Sequence, residues 1–141
     1  MSDAVYVADT WNNRIQKWSK NAQEGITVAG SSNGSYGYDA ALLNNPVDIF
    51  VDTETGVLYI ADTYNRRIQR WLPGALKGDT IVGGFDNDNP NTQMMIPVAL
   101  TFDSEGNLFV TDINNHRVQK FALIDNTTCS STSTGTLNIL F

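Results

Sequence analysis

The chain has 141 residues and carries 9 Lys and Arg against 15 Asp and Glu, a formal net charge of −6. This acidic balance argues against a general binder of nucleic-acid phosphates, which needs a basic face. One Cys (Cys129) and one His (His116) exclude an internal disulfide framework, a thiolate zinc cluster and a multi-histidine metal site within this chain. No apolar run approaches the roughly 18 residues of a membrane-spanning helix. The first residues show no signal-peptide pattern, and the compartment is left open.

One segment recurs three times along the chain. Residues 5–18 read VYVADTWNNRIQKW, residues 58–71 read LYIADTYNRRIQRW, and residues 108–121 read LFVTDINNHRVQKF. The blocks PVDIFVD and PVALTFD precede the second and third copies, and ITVAG and TIVGG follow the first and second. Each block is short, apolar and rich in β-branched or aromatic residues, which is typical of a strand. The repeat unit therefore contains four predicted strands.

Four short antiparallel strands in a repeat of about 50 residues are typical of a β-propeller blade. The sequence thus predicts an all-β fold with ten clear strands, which make about two and a half to three blades. A closed ring needs roughly 4–8 blades, so we expect an incomplete ring. A segment of a longer propeller and self-association of several copies both fit that expectation. We predict a propeller segment over residues 1–125 and a Ser/Thr-rich tail over residues 126–141, with residues 137–141 as a candidate last strand.

The repeated motifs resemble the NHL repeat family. From Pro46 to Gln69 the pattern is P-x-x-[IL]-x-[VF]-D, then G-x-[LV]-[YF]-[VI]-[AT]-D, then N-x-R-[IV]-Q. Residues 115–117 read Asn-His-Arg and match the start of the family's naming motif, with Val118 in place of its leucine. The resemblance implies a six-bladed propeller or a close relative, used mostly as a rigid interaction platform. The family often has Gly two residues after the Pro, where this chain has Asp48 and Ala99.

Three polar residues recur in every copy: Asp9, Asn12 and Arg14; Asp62, Asn65 and Arg67; and Asp112, Asn115 and Arg117. A catalytic site is usually built once, so a structural role is favoured over an active site. An Asp that ends a strand can accept hydrogen bonds from the N–H groups of the following turn. The Arg that follows can pair with a carboxylate of its own or an adjacent blade. We therefore expect these residues to fix a hairpin and to link blades.

The variable segments between repeats are the candidates for recognition, since loops on a rigid scaffold usually carry function. Tyr36, Tyr38 and Asp39 form the candidate partner-binding loop, and a packing loop between blades is the alternative reading. The sequence favours a non-catalytic interaction scaffold with a protein partner and no cofactor. Residues 86–89 read as a polar loop rather than a calcium site, because the later Gly and Glu of a calcium loop are missing.

Two other functions stay open. The chain could be part of a propeller enzyme of the lyase or hydrolase type whose catalytic or metal residues lie on other blades. It could also be an RNA-binding NHL domain, which the acidic charge disfavours. The N-x-S/T tripeptides at Asn33 and Asn126 are compatible with an extracellular parent protein.

Overall fold

The computed structural model describes residues 3–123 and 138–139. The described chain forms three sheets that follow one another along the sequence. The first sheet consists of β1 (Val5–Asp9), β2 (Arg14–Trp18) and β3 (Ile26–Gly30). The second consists of β4 (Pro46–Val51), β5 (Leu58–Asp62), β6 (Arg67–Trp71) and β7 (Asp79–Gly83). The third consists of β8 (Pro97–Phe102), β9 (Leu108–Asp112), β10 (Arg117–Leu123) and β11 (Asn138–Ile139).

Each sheet is one blade, and its strands neighbour each other in chain order. Strands β1 to β10 pair in antiparallel fashion within their blades, whereas β11 pairs with β10 in parallel. The predicted all-β propeller fold is confirmed, and the ring is not closed by the described residues. Within those residues no helix is long and apolar enough to cross a membrane. The division at residues 125 and 126 stays a prediction, and Cys129 and Asn126 lie outside the described residues.

The three repeats fold with the same register. The Asp that ends the second strand of each repeat pairs with the Arg that opens the third: Asp9 with Arg14, Asp62 with Arg67, and Asp112 with Arg117. A register shift falls at the same point of the repeat in two blades, between Ile15 and Gln16 and between Ile68 and Gln69. A bulge of this kind adds twist to a strand pair. Equivalent sequences therefore produce equivalent blades.

A single-turn 3₁₀ helix joins the second and third strands of each blade; these turns are Thr10–Asn12, Thr63–Asn65 and Ile113–Asn115. The residue after each turn is left-handed, with φ of 53° at Asn13, 55° at Arg66 and 50° at His116. Gly83 must be a glycine because a Cβ there would lie 2.3 Å from the carbonyl oxygen of Arg66. The strand-to-strand turn is therefore a tight helical turn, which the sequence analysis did not predict.

Two apolar cores lie between neighbouring blades. The first core, between blades one and two, contains Ile15, Ala29, Leu43, Leu58, Ile60 and Trp71. The second core, between blades two and three, contains Ala61, Ile68, Val82, Met94, Leu100, Leu108, Val110 and Phe121. Trp71 and Phe121 are buried in these cores, whereas Trp18, at the equivalent position of the first repeat, is 39% exposed.

Asp48, which departs from the usual glycine of the repeat, links the innermost strands of two blades. Its Oδ2 atom accepts a hydrogen bond of 2.8 Å from the backbone N–H of Leu100 on β8. A bond to a charged acceptor is stronger than one between neutral groups. The substitution therefore adds a direct tie between blades two and three.

The packing makes a prediction about two equivalent positions. Ile68 is fully buried in the second core, and Val118, at the same place in the third repeat, is 63% exposed. We expect Ile68→Ala to lower the free energy of unfolding by about 2–5 kcal/mol, because it leaves a cavity in a packed core. Val118→Ala should change it by about 0.5 kcal/mol or less. Urea unfolding measures both, and equal effects would show that blades two and three do not pack as described.

Candidate functional site

The repeated Asp, Asn and Arg of blade two form a buried polar cluster at one end of the blade. The Asp62 carboxylate accepts hydrogen bonds from Nε of Arg67 at 2.7 Å and from Nδ2 of Asn65 at 2.8 Å. The side chains of Asp62 and Arg67 are 0% and 3% exposed. Burial raises the pKa of the Asp62 carboxyl, against the lowering effect of hydrogen bonds from Asn44, Asn65 and Arg67. A buried charge pair of this kind is tolerated only when its remaining groups are hydrogen-bonded.

The carboxylate also holds the loop that leads into its own blade. Oδ1 of Asp62 accepts a hydrogen bond of 2.7 Å from the backbone N–H of Asn44, 18 residues earlier. In blade three, Oδ1 of Asp112 accepts hydrogen bonds of 3.0 Å from the backbone N–H groups of Met95 and Ile96. The expected hydrogen bonds from the following turn are absent at these residues, since the 3₁₀ turns have no side-chain cap. The donors come instead from the incoming loop.

The arginine binds the same loop through its carbonyl groups. The Nη1 atom of Arg67 donates to the carbonyl oxygen of Tyr38 at 2.8 Å, and Nη2 donates to those of Asp39 and Leu42 at 3.1 Å. In blade three, Nη2 of Arg117 donates to the carbonyl oxygen of Gln93 at 2.6 Å. The planar guanidinium serves several acceptors at once, which a lysine cannot do in this geometry. The arginines of blades two and three therefore hold the inter-blade loops that lead into their own blades.

The cluster of blade one is more open. Nε of Arg14 lies 2.8 Å from Oδ2 of Asp9, and their side chains are 24% and 27% exposed. Burial acts to raise the pKa of Asp9, but hydrogen bonds from Arg14 and Asn12 and the charge of Arg14 lower it overall. Within residues 3–123, no backbone N–H donates to this carboxylate. Asp9 therefore lacks the loop contact that Asp62 and Asp112 have.

The same end of the blades carries an exposed aromatic surface, which we call the aromatic end. The strand register places the 3₁₀ turns and the inter-blade loops of residues 31–45 and 84–96 together at this end. Trp11 and Tyr64 occupy equivalent positions in two 3₁₀ turns, and both are exposed. The aromatic end consists of Trp11, Tyr36, Tyr38, Tyr64 and Phe85. Of these residues, the sequence pattern pointed only to Tyr36 and Tyr38.

The two tyrosines of the candidate loop differ in their surroundings. The centroid of the Tyr38 ring lies 5.1 Å from the centroid of the Phe85 ring and 4.8 Å from Cζ of Arg67. Its hydroxyl oxygen accepts a hydrogen bond of 3.2 Å from the Phe85 N–H. Tyr36 is 70% exposed, and Asp39 is also exposed. Tyr38 therefore packs the loop onto blade two, whereas Tyr36 is displayed to solvent.

The remaining chemical candidates are scattered. His116 occupies the left-handed position after the third 3₁₀ turn, and its N–H donates to the carbonyl oxygen of Ile113. Asn87 and Asn89, in the predicted polar loop, hydrogen-bond within that loop. No group of three or more His, Cys, Asp or Glu side chains that could hold a metal ion occurs in the described part of the chain.

Comparisons with known proteins agree with this architecture. The family model of the NHL repeat matches residues 95–121. The human protein NHL repeat-containing protein 2 is 29% identical over 56% of this chain and 12% of its own length. These matches confirm the resemblance to NHL repeats that the three motifs predict.

Solved structures give the fold. An auxiliary nutrient binding protein from Bacteroides ovatus superposes with a TM-score of 0.68 at 17% identity, over 84% of this chain and 34% of that protein. An auxiliary nutrient binding protein from Bacteroides thetaiotaomicron superposes with a TM-score of 0.68 at 16% identity, over the same shares of the two chains. The chain thus spans about a third of the structures and about an eighth of the curated relative it matches.

The polar clusters of blades one and two differ in burial, so we expect an Asp→Asn substitution to lower the free energy of unfolding by different amounts in the two blades. Asp62→Asn leaves the buried Arg67 without its counter-charge, and we expect the free energy of unfolding to fall by about 3–5 kcal/mol. Asp9→Asn removes a half-exposed pair and should cost about 1 kcal/mol or less. Chemical denaturation of both variants measures these losses. A cost for Asp62→Asn no larger than that for Asp9→Asn would contradict the described burial.

Proposed function

We propose that this chain, which is built of NHL repeats, is a non-catalytic binding module whose aromatic end recognises a protein partner. The observation that carries this proposal is the concentration of exposed aromatic side chains at the end where the polar clusters fix the loops. Trp11 is 86% exposed and Tyr36 is 70% exposed, although large aromatic groups normally lose most of their surface on folding. Exposed aromatic groups on a rigid base are typical of interface hot spots.

The scaffold beneath this surface supports recognition. Arg67 holds the backbone of the loop at Tyr38, Asp39 and Leu42, so the neighbouring Tyr36 is presented from a fixed position. A loop that is already ordered loses less conformational entropy on binding. Arg66, the left-handed residue after the second 3₁₀ turn, adds a cation whose Cζ lies 5.3 Å from the centroid of the Phe85 ring. Aromatic and arginine side chains together are the residue types enriched at protein interfaces.

A protein partner is favoured over RNA by the charges at this end. The arginines of the polar clusters are paired with Asp9, Asp62 and Asp112. The surrounding loops add the acidic residues Asp39, Asp86 and Asp88. A phosphate backbone would meet these three exposed loop carboxylates beside the cation of Arg66, and its binding needs a surplus of free cations. The nutrient-binding function named for the two Bacteroides proteins supports a binding role more generally.

The proposal predicts that the aromatic end is needed for partner capture. The immobilised chain and its Trp11→Ala/Tyr36→Ala variant should be compared for capture of proteins from extracts of the source cells. A bound partner should then bind the variant at least about tenfold more weakly, because each hot-spot aromatic contributes about 1–2 kcal/mol or more. Both side chains are exposed, so the variant should unfold at the same urea concentration as the parent chain.

Val118→Ala, which removes an exposed apolar group of blade three that is not one of the five residues of the aromatic end, is the matched control and should bind like the parent chain. Equal affinity of the parent chain and the double variant would refute the proposal. Capture that is lost on nuclease treatment would instead identify RNA as the ligand.

A further inference from the structure

The opposite end of the blades contains a cavity of about 370 Å³ between blades one and two. Pockets that bind ligands begin at roughly 300 Å³. The walls come from the start of β1, the end of β2, the starts of β3 and β5 and the segment that joins β6 to β7. They include Tyr6, Lys17, Thr27, Leu58, Pro73 and Ala75. Because it lies at the far end of the strands from the 3₁₀ turns, this cavity is separate from the aromatic end.

The first strands of blades two and three carry side chains of different size near this end of the blades. Between blades two and three, Phe102 packs with its ring centroid 4.6 Å from that of Tyr59 and 4.9 Å from that of Phe50. The equivalent of Phe102 between blades one and two is Val51, since Val51 pairs with Leu58 as Phe102 pairs with Leu108. The equivalent of Tyr59 is Tyr6. The interface between blades one and two therefore has a smaller side chain, Val51, next to Leu58 of the cavity wall.

The basic residue at this cavity differs from its equivalents in the other repeats in having no paired carboxylate within residues 3–123. The three equivalent basic residues are Lys17, Arg70 and Lys120. Arg70 lies 3.1 Å from the Asp79 carboxylate and Lys120 lies 3.9 Å from that of Asp103. In residues 3–123 Lys17 has no carboxylate partner, and its Nζ lies 5.5 Å from the centroid of the Tyr6 ring. Lys17 is the charged residue of the cavity wall, and it is half-buried.

The rim of the cavity is apolar and exposed. Leu76 is 90% exposed, and Ile26 and Leu72 beside the cavity are exposed as well. An occupant confined to the cavity would leave these side chains in water. A peptide segment would cover them, since its backbone would run across the rim while one side chain enters the cavity.

We propose that this cavity binds a peptide segment of a partner protein through an aromatic anchor side chain, with a neighbouring carboxylate paired to Lys17. The ring takes the place against Tyr6 that Phe102 takes against Tyr59. The carboxylate supplies the counter-charge that Asp79 and Asp103 supply in the other repeats. This site is independent of the proposed recognition at the aromatic end, and either can fail without the other.

Backbone NMR shifts of the full 141-residue chain, titrated with blocked dipeptides, test the proposal. Acetyl-Phe-Asp-amide should shift the signals of Tyr6, Thr27 and Gly74. Acetyl-Phe-Asn-amide should bind about two- to fivefold more weakly, because it lacks the charge of a partly exposed ion pair. Acetyl-Ala-Asp-amide should bind at least about tenfold more weakly, because it lacks the buried ring.

Variants of the chain separate the two parts of the site. Val51→Phe should fill the cavity and abolish binding of acetyl-Phe-Asp-amide; Thr27→Phe is a second filling variant on the open edge strand in case the first does not fold. Lys17→Gln should bind the Asp and Asn dipeptides equally. Lys20→Gln removes an exposed lysine that pairs with Asp3 at 2.7 Å, and it should leave both affinities unchanged.

Three results would overturn the proposal. One is undiminished binding to a folded filling variant. Another is an unchanged preference of Lys17→Gln for the Asp dipeptide. The last is that acetyl-Phe-Asp-amide shifts only the NMR signals of residues at the aromatic end.

Discussion

The buried ion pair between Asp62 and Arg67 is the interaction on which the arrangement of the blades depends. Its two side chains are removed from water, and they are placed by adjacent positions of two paired strands. Burial of such a pair costs desolvation energy, which the structure offsets by hydrogen-bonding the remaining atoms. Those bonds go to the N–H group of Asn44 and to the carbonyls of Tyr38, Asp39 and Leu42, so the pair orders the loop between blades one and two. The cluster therefore fixes the path of the chain between two blades as well as the turn inside one blade.

Comparison of the three copies shows what the incoming loop adds. Asp62 and Asp112 are both fully buried, and both accept backbone N–H groups from the loop before their blade. Asp9 has the same side-chain partners in its own turn, but it is partly exposed, and burial, which acts to raise its pKa, is outweighed by the lowering effect of Arg14 and Asn12. The Asp, Asn and Arg side chains of one blade thus form the cluster by themselves. In blades two and three, the loop that leads into the blade covers the cluster and buries the Asp.

The sequence was sufficient for the parts of the fold that depend on local pattern. The period of two at Val47, Ile49 and Val51 indicated a strand, and the threefold motif indicated blades in register. The left-handed Arg66 was not predicted, because nothing in its side chain requires that conformation and the turn imposes it. The donors to Asp62 were also missed, since Asn44 lies 18 residues away and only the folded loop brings it near. Long-range contacts of this kind leave no local signal.

Differences between the repeats point to function more directly than their shared residues do. The Asp, Asn, Arg and apolar residues that the repeats share form the polar clusters and the apolar cores. At the aromatic end the equivalent turn positions are Trp11, Tyr64 and Asn114, which gives each blade a different exposed group. At the other end, Val51 stands where the third repeat has Phe102, and within residues 3–123 Lys17 is without the carboxylate that Lys120 has. A repeat protein can vary such positions at small cost in stability, since each is exposed or lies at the edge of a core. Recognition is therefore expected where one copy departs from the others, on blades whose geometry the common residues keep constant.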